Sequence, residues 1–262
     1  MHLDLHYKKF GQPTAKPLLI LHGLFGMLDN WQTLALQFAQ QYCVYIIDQR
    51  NHGKSPHAAS HTYADMANDL LTFVDEHGIE KFYLIGHSMG GKTAMQFAVE
   101  NEYRVDKLVI VDIAPKDYPM GEHDAIFDAF FDLPVHDIEN RQDAENYLAQ
   151  RITDVGVRQF LLKNLYRTHA GYYEWRCNVK AIHNHYASIL ANSLAYYDTF
   201  SHPTLFVKGG KSDRYIDANE DIELIQHHFP LAQLQIINNA GHWVHAEQPK
   251  GFFDVVSHFL SQ

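Results

Sequence analysis

Short apolar runs alternate with stretches of helical periodicity along most of the chain. The runs are rich in β-branched and aromatic residues, and they predict strands at residues 17–21, 44–48, 82–85, 108–113, 204–207 and 234–237. Helical patterns fit between most of these strands, which indicates βαβ units. Because the strands are continuously apolar, we predict an α/β fold with a mostly parallel sheet covered by helices on both faces.

The alternation stops between residues 116 and 201. No good strand is predicted there, and helices are predicted at residues 122–131, 143–151 and 157–166. We interpret 116–201 as a helical cap inserted into a core formed by 1–115 and 202–262. A cap at the catalytic face would exclude water and shape a substrate pocket. The alternative is a helical decoration that only adds stability.

Composition narrows the classes of function. The chain has 262 residues, of which 46% are hydrophobic, enough for a full α/β core. Its net charge is −10 and lysine and arginine do not cluster along the sequence, which argues against nucleic acid or an anionic membrane as partner. The sequence does not specify the oligomeric state.

Two features bear on cellular location. Cys43 and Cys177 are too few for a disulfide framework and fit a reducing compartment, so we expect a cytoplasmic protein. Residues 1–7 alternate polar and apolar side chains like a strand and lack the apolar centre of a secretory signal. No apolar run approaches the roughly 20 residues needed to cross a bilayer.

The most informative motif is Gly86-His87-Ser88-Met89-Gly90, which follows the predicted strand 82–85 and precedes a predicted helix over 88–100. A G-x-S-x-G segment between a strand and a helix holds the serine on a sharp turn, where its hydroxyl is exposed for attack. The flanking glycines allow strand and helix to approach closely. Ser88 is therefore the candidate nucleophile.

A serine nucleophile needs an imidazole to take its proton and a carboxylate to orient that imidazole. Among 19 histidines, His242 stands out because it follows the strand 234–237 on a loop near the end of the chain. Two aspartates are candidates for the acid. Asp213 follows the strand 204–207, the commoner acid position, and Asp112 ends the strand after the nucleophile helix. Both stay open, and the two carboxylates could share the role.

An oxyanion formed during acyl transfer needs preorganised N–H donors. We predict the backbone amide of Met89 as one donor and that of Leu24 as the second, with Phe25 as the next choice. His22 and Trp243 are candidate substrate-binding residues, although His22 fits a loop-stabilising hydrogen-bond partner better than a proton carrier.

No metal site is predicted. The histidine pairs at 183/185 and 227/228 lack a convincing third ligand, so we interpret them as surface residues. The aromatic residues of the 116–201 segment either line an apolar acyl pocket or, as is more common, form the core of that segment.

Four further segments carry a resemblance to a known family. They are residues 22–26 (HGLFG, followed by Asp29-Asn30), 48–55 (DQRNHGKS), 111–115 (VDIAP) and 239–246 (NAGHWVHA). Together with the serine motif they resemble the α/β-hydrolase superfamily, and within it the YbfF-like esterases. The match spans most of the chain.

The resemblance implies an α/β-hydrolase fold, carboxylester hydrolysis, activity on acyl thioesters such as acyl-CoA, no cofactor, and a place for Asp112 in the active site. The chain departs from the family at Asp213, where relatives lack an aspartate, and at Gly121-Glu122, where some relatives carry basic residues. The second departure weakens the inference of a bound CoA phosphate. We therefore expect a serine esterase for short-to-medium acyl esters, with acyl thioesters as further substrates.

Other functions fit the same fold. Carbon–carbon bond hydrolases, lactonases, perhydrolases and aminopeptidases can use the same three side-chain types, and a receptor or binding module can keep the fold without turnover. Ester hydrolysis is favoured because a serine–histidine pair suits acyl transfer without further equipment.

Overall fold

Seven strands form the central sheet of this computed structural model, which describes residues 3–262. The strands of this sheet are β1 Tyr7–Phe10, β2 Pro17–Leu21, β3 Cys43–Ile47, β4 Phe82–His87, β5 Val105–Val111, β8 Thr204–Gly209 and β9 Ala232–Ile237. Between β5 and β8 in the sequence, β6 Leu165–Arg167 and β7 Tyr173–Trp175 form a separate hairpin. The spatial order is β1-β3-β2-β4-β5-β8-β9. Only the β1–β3 pair of this sheet is antiparallel, so the mostly parallel sheet predicted from the sequence is confirmed.

Eleven α-helices occur in the described residues. They are α1 Gln32–Phe38, α2 Tyr63–Glu76, α3 Met89–Glu100, α4 Asp124–Asp132, α5 Arg141–Leu148, α6 Val155–Leu162, α7 Val179–Asn184, α8 Tyr186–Leu190, α9 Ile222–His228, α10 Val244–Glu247 and α11 Pro249–Ser261, with 3-10 helices at Leu28–Trp31 and Glu102–Arg104. None of them combines the length and apolar character that a membrane span requires.

The helices cover both faces of the sheet because side chains alternate along each strand. On β2, Leu19 packs into a cluster with residues of α2, α3 and α9, whereas its neighbours Leu18 and Ile20 pack with residues of α1 and α11. The central strands are therefore apolar on both sides. This double burial is the physical reason that the sequence predicted them well.

The sequence pattern at the N-terminal end was less informative. The predicted strand-like alternation over residues 1–7 begins with Met1 and His2, which lie outside the described residues. The edge strand starts only at Tyr7 and pairs with β3. As an edge strand, it has one neighbour and only half-buried or exposed side chains, so its pattern is weak.

The segment 116–201 is fully described and contains helices α4 to α8 together with the β6–β7 hairpin. The prediction that it lacks strands is wrong. The predicted helix 157–166 is also too long, since α6 ends at Leu162 and residues from Leu165 pair with β7. Each hairpin strand has three residues, too short for a recognisable alternation of polar and apolar positions.

Lys92 joins this segment to the core. The lysine lies on α3, only 1% exposed, and its ammonium donates hydrogen bonds to the carbonyls of Lys116, Leu190 and Ala191 at 2.8, 3.0 and 2.6 Å. Lys116 is the first residue of the 116–201 segment, and Leu190 and Ala191 lie at and just after the end of α8. The helix that begins beside Ser88 therefore also holds two parts of that segment, the first residue and the end of α8.

Candidate active site

Ser88 lies in the sharp turn between β4 and α3. Its backbone has φ of +52° and ψ of −118°, a strained conformation for a residue with a side chain. A Cβ added at Gly86 would overlap the carbonyl of Gly90, and one at Gly90 would overlap the carbonyls of Leu21 and His22. Glycine is thus required on both sides, and the turn projects the Ser88 hydroxyl beyond the end of the sheet.

His242 connects Ser88 to a buried carboxylate. Its Nε2 lies 3.0 Å from Ser88 Oγ, and its Nδ1 lies 2.8 Å from Asp112 Oδ2. Because an ionised carboxylate only accepts hydrogen bonds, Nδ1 carries the proton and Nε2 presents its lone pair to the serine hydroxyl. Burial lowers the pKa of His242, which favours this neutral form.

Asp112 follows β5 and is completely buried. It accepts hydrogen bonds from the backbone N–H of Gly209 at 2.8 Å and from the Ser212 hydroxyl. Burial raises the pKa of Asp112 to about 6, and these two donors oppose the shift by stabilising the carboxylate. Asp112 also has a positive φ of +52°, so strained backbone occurs at both Ser88 and its distant carboxylate partner.

Asp213 occupies a different environment. Its side chain is 83% exposed and forms an ion pair at 2.6 Å with the ammonium of Lys208, which is buried. The structure therefore brings Asp112, and not Asp213, into the hydrogen-bonded relay with His242. Strand position alone left both aspartates open because β5 and β8 are neighbours whose carboxyl ends meet at the same edge.

The loop after β2 also lies close to Ser88, since a Cβ added at Gly23 would lie 3.2 Å from Ser88 Cβ. The N–H of Phe25 donates to His52 Nε2 at 3.1 Å, so this amide is already engaged. Within residues 3–262, the amides of Leu24 and Met89 donate to no protein acceptor, and both residues line the same cavity as Ser88. Of the amides predicted from the sequence, these two remain available to a ligand.

His22 is held on both ring nitrogens. Its Nε2 accepts from the N–H of Gln49 at 3.0 Å, and its Nδ1 lies 2.8 Å from the carbonyl of Gly23. Burial lowers the pKa of His22 to about 4, so the ring is neutral. His22 lines the cavity, but both of its ring nitrogens serve the loop. Trp243 lies at the cavity wall with its ring centroid 5.3 Å from that of Phe160.

A cavity of about 540 Å³ opens above Ser88. Core loops form one side, and the 116–201 segment forms the other. Apolar lining residues include Leu24, Met89, Ile113, Ile126, Val157, Phe160, Ile189 and Leu190. The segment's aromatic residues Phe127, Phe130 and Trp175 instead pack on one another or on Phe25, so they form its core.

Sequence reasoning missed two residues that touch the relay. The ring of Tyr215 stacks on His242 with a centroid distance of 3.7 Å and an angle of 19°, and its hydroxyl donates to Glu122. The Nε2 atom of His87 lies 2.9 Å from the backbone carbonyl oxygen of His242. Tyr215 belongs to none of the sequence motifs described above. His87 lies inside the serine motif, at a position that the motif leaves variable.

The histidine pair at 227/228, outside this site, contacts backbone carbonyls. His227 and His228 each lie within hydrogen-bond distance of one, that of Tyr196 at 2.6 Å and that of Asp198 at 2.7 Å. His228 is only 1% exposed, so the prediction that it is a surface residue is wrong. Across the described part of the chain, no group of three or more His, Cys, Asp or Glu could hold a metal ion.

Comparison with known proteins agrees with this geometry. The family model for the alpha/beta hydrolase fold matches residues 16–249. The chain belongs to this family. It is 38% identical to Esterase YbfF of Escherichia coli (strain K12) over 251 residues, covering 95% of each chain. It is also 38% identical to the sn-1-specific diacylglycerol lipase ABHD11 of Mus musculus, covering 96% of this chain and 83% of that protein.

A solved structure gives the same result in three dimensions. A marine microorganism esterase superposes with a TM-score of 0.95 at 40% identity, covering 98% of this chain and 99% of that one. The predicted α/β-hydrolase fold and the resemblance to YbfF-like esterases are therefore confirmed.

Proposed function

We propose that this member of the alpha/beta hydrolase family is a serine carboxylester hydrolase that works through an acyl-enzyme on Ser88. At the level of reaction class the chain is an ester-hydrolysing enzyme, as its esterase and lipase relatives indicate. The observation that carries the finer proposal is the unbroken relay from Ser88 Oγ through His242 to Asp112, at 3.0 and 2.8 Å.

In the first half-reaction Ser88 Oγ attacks the ester carbonyl carbon while His242 Nε2 takes the hydroxyl proton. Asp112 stabilises the resulting imidazolium and keeps the ring oriented. The C–O bond to the alcohol then breaks, and the alcohol leaves with the proton from Nε2. In the second half-reaction a water molecule attacks the acyl carbon and gives its proton to His242 Nε2. The bond from that carbon to Ser88 Oγ then breaks, His242 returns the proton to Ser88 Oγ, and the acid is released.

The negative charge that develops on the carbonyl oxygen needs donors fixed in advance. We assign this role to the amides of Leu24 and Met89, because the Phe25 amide already donates to His52. In other enzymes, removing one donor to the oxyanion lowers kcat by a factor of about 10² to 10³.

We further propose that residues 116–201 act as a cap that binds the acyl group. The supporting observation is the apolar wall that this segment contributes to the cavity above Ser88. A cavity of about 540 Å³ that is shared by both halves of a substrate suits short-to-medium acyl chains. Acyl thioesters would follow the same route, with a thiol as the leaving group.

The test is a panel of p-nitrophenyl esters and matched acyl thioesters with acyl chains of two to sixteen carbons. The wild type should give a burst of p-nitrophenol and a rate maximum at short or medium length. Ser88→Ala should abolish the burst, whereas Ser201→Ala, an exposed serine away from the cavity, should keep it. A rate that rises steadily to the longest chain would contradict the proposed substrate size. Absence of turnover on every ester would sink the hydrolase proposal and favour a binding protein.

A further inference from the structure

A second cavity, of about 580 Å³, lies next to the candidate active site. We call it the basic groove and define it by its lining: His6, Lys8, Met27, Leu28, Asp29, Asp48, Gly53, Lys54, Arg141, Lys163, Leu165 and Arg176. Its walls come from β1, the 3-10 helix that starts at Leu28, the 48–54 turn and the 116–201 segment. Lys163 lines both cavities, so the two sites are neighbours.

The charge of the basic groove is opposite to that of the protein. Five of its lining side chains are lysine or arginine and two are aspartate, whereas the whole chain carries a net charge of −10. These cations are far apart along the sequence, between Lys8 and Arg176, so only folding brings them together. This is why no basic cluster is visible in the sequence.

The two aspartates already have partners. Asp29 forms an ion pair with Lys8 at 2.5 Å. Asp48 is 2% exposed and accepts hydrogen bonds from the backbone N–H groups of Leu28 and Lys54 at 2.7 and 2.9 Å. Neither carboxylate therefore forms an ion pair with the remaining four cations of the groove.

Those four are Lys54, Lys163, Arg141 and Arg176, and none forms an ion pair with a carboxylate among residues 3–262. Arg141 donates through Nη2 to the carbonyls of Leu162 and Leu165 at 2.5 and 2.6 Å, which anchors the guanidinium and leaves its other N–H groups available. The guanidinium of Arg176 lies 4.6 Å from the ring centroid of Tyr166. Two anchored guanidinium groups and two free ammonium groups thus surround one concave space.

We propose that the basic groove is a binding site for a phosphorylated small molecule. Guanidinium groups bind phosphate oxygens through paired N–H donors and ammonium groups bind them as point charges, so this set suits a dianionic phosphate better than a single carboxylate. The groove volume falls in the range of small-molecule sites and exceeds what one inorganic phosphate fills. The ligand neutralises four like charges that the protein itself leaves without a counter-ion.

The phosphate has two possible sources. It belongs either to the leaving half of a substrate whose acyl group lies over Ser88, or to a separate effector. Binding itself does not depend on the proposed function, because no residue of the Ser88 relay lines the groove. Binding is therefore measured in Ser88→Ala protein, where failure of the hydrolase proposal cannot affect it.

The probes are inorganic phosphate, pyrophosphate and glucose 6-phosphate, with glucose and matched sodium chloride as blanks, in isothermal titration calorimetry and thermal melts. We expect saturable binding of pyrophosphate and glucose 6-phosphate and a rise in melting temperature. The double variant Lys54→Gln, Lys163→Gln should bind at least about tenfold more weakly. The matched control Lys211→Gln, Lys250→Gln removes the same charge from two exposed sites outside the groove and should bind like the parent. Lack of saturable binding by either phosphorylated probe, or equal weakening in both double variants, would overturn the proposal.

Kinetics of the wild type then separate the two sources. Competitive inhibition of p-nitrophenyl butyrate hydrolysis by glucose 6-phosphate would place the phosphate on the substrate path, because Lys163 lies at the junction of the cavities. A change in kcat, or an unchanged rate at saturating glucose 6-phosphate, would show that the bound phosphate belongs to a separate effector.

Discussion

Replacing Asp112 by asparagine tests the relay most directly, because the side chain keeps its shape and loses only its charge and one acceptor oxygen. The buried carboxylate accepts from Gly209 N–H, from Ser212 and from His242 Nδ1. In the amide one oxygen continues to accept from Gly209, and the new NH₂ group faces His242 and Ser212. A donor facing Nδ1 stabilises the tautomer with its proton on Nε2. That tautomer cannot take the proton of Ser88.

The expected loss follows from this change of tautomer. In a serine protease with the same arrangement, the equivalent change lowers kcat by about 10⁴, so we expect a fall of about 10³ to 10⁴ here. This corresponds to about 4 to 5.5 kcal/mol of transition-state stabilisation. Asp213→Asn is the matched control. Its side chain is 83% exposed and lies outside the hydrogen-bonded relay, so activity should stay within about fivefold of the wild type. The loss of the ion pair with buried Lys208 is measured separately, as a change in melting temperature.

The assay is kcat and kcat/KM on p-nitrophenyl butyrate, with thermal melts to establish that each variant is folded. We expect the double variant of Asp112 and Asp213 to be no worse than Asp112→Asn alone, which would exclude a shared role for the two carboxylates. The reasoning is refuted if Asp213→Asn is as damaging as Asp112→Asn, or if Asp112→Asn retains more than a tenth of the activity.

Acid should destabilise the fold, because His22, His52 and His87 are buried and burial lowers their pKa values to about 4, 3 and 3. Below about pH 6.5 these histidines take up protons in the unfolded chain but not in the native chain. The free energy of unfolding is therefore highest above that pH and falls as the pH drops toward the native pKa values, by up to about 1.4 kcal/mol per pH unit for each histidine. Equal urea midpoints at about pH 7.5 and pH 5 would contradict this. Lys92→Met removes the donor to three carbonyls and should cost about 2 to 4 kcal/mol in urea unfolding. A loss under about 1 kcal/mol would show that water replaces the ammonium. Tyr215→Leu removes the ring stacked on His242 and should lower kcat/KM by about three- to tenfold, with Tyr215→Phe nearer the wild type; the same loss in both variants would assign the effect to the hydroxyl.

The hydrophobic pattern determined the central fold. β2 and β4 are buried on both faces, so residues 17–21 and 82–85 each form a continuous apolar run. The strained turn at Ser88 was equally readable, because a side chain at Gly86 or Gly90 would overlap backbone atoms and only glycine fits. Local sequence specifies such features, since the atoms that enforce them are close along the chain.

Tertiary structure decided which groups meet. Asp112 and Asp213 both follow parallel strands, and only folding gives Asp112 a buried contact with His242. Asp213 instead has an exposed side chain that pairs with Lys208. Tyr215 and the basic groove likewise depend on contacts between residues separated by tens to more than a hundred positions. Periodicity reports the burial of a position, whereas the identity of its partner depends on the packing of distant segments, and a single sequence does not contain that information in local form.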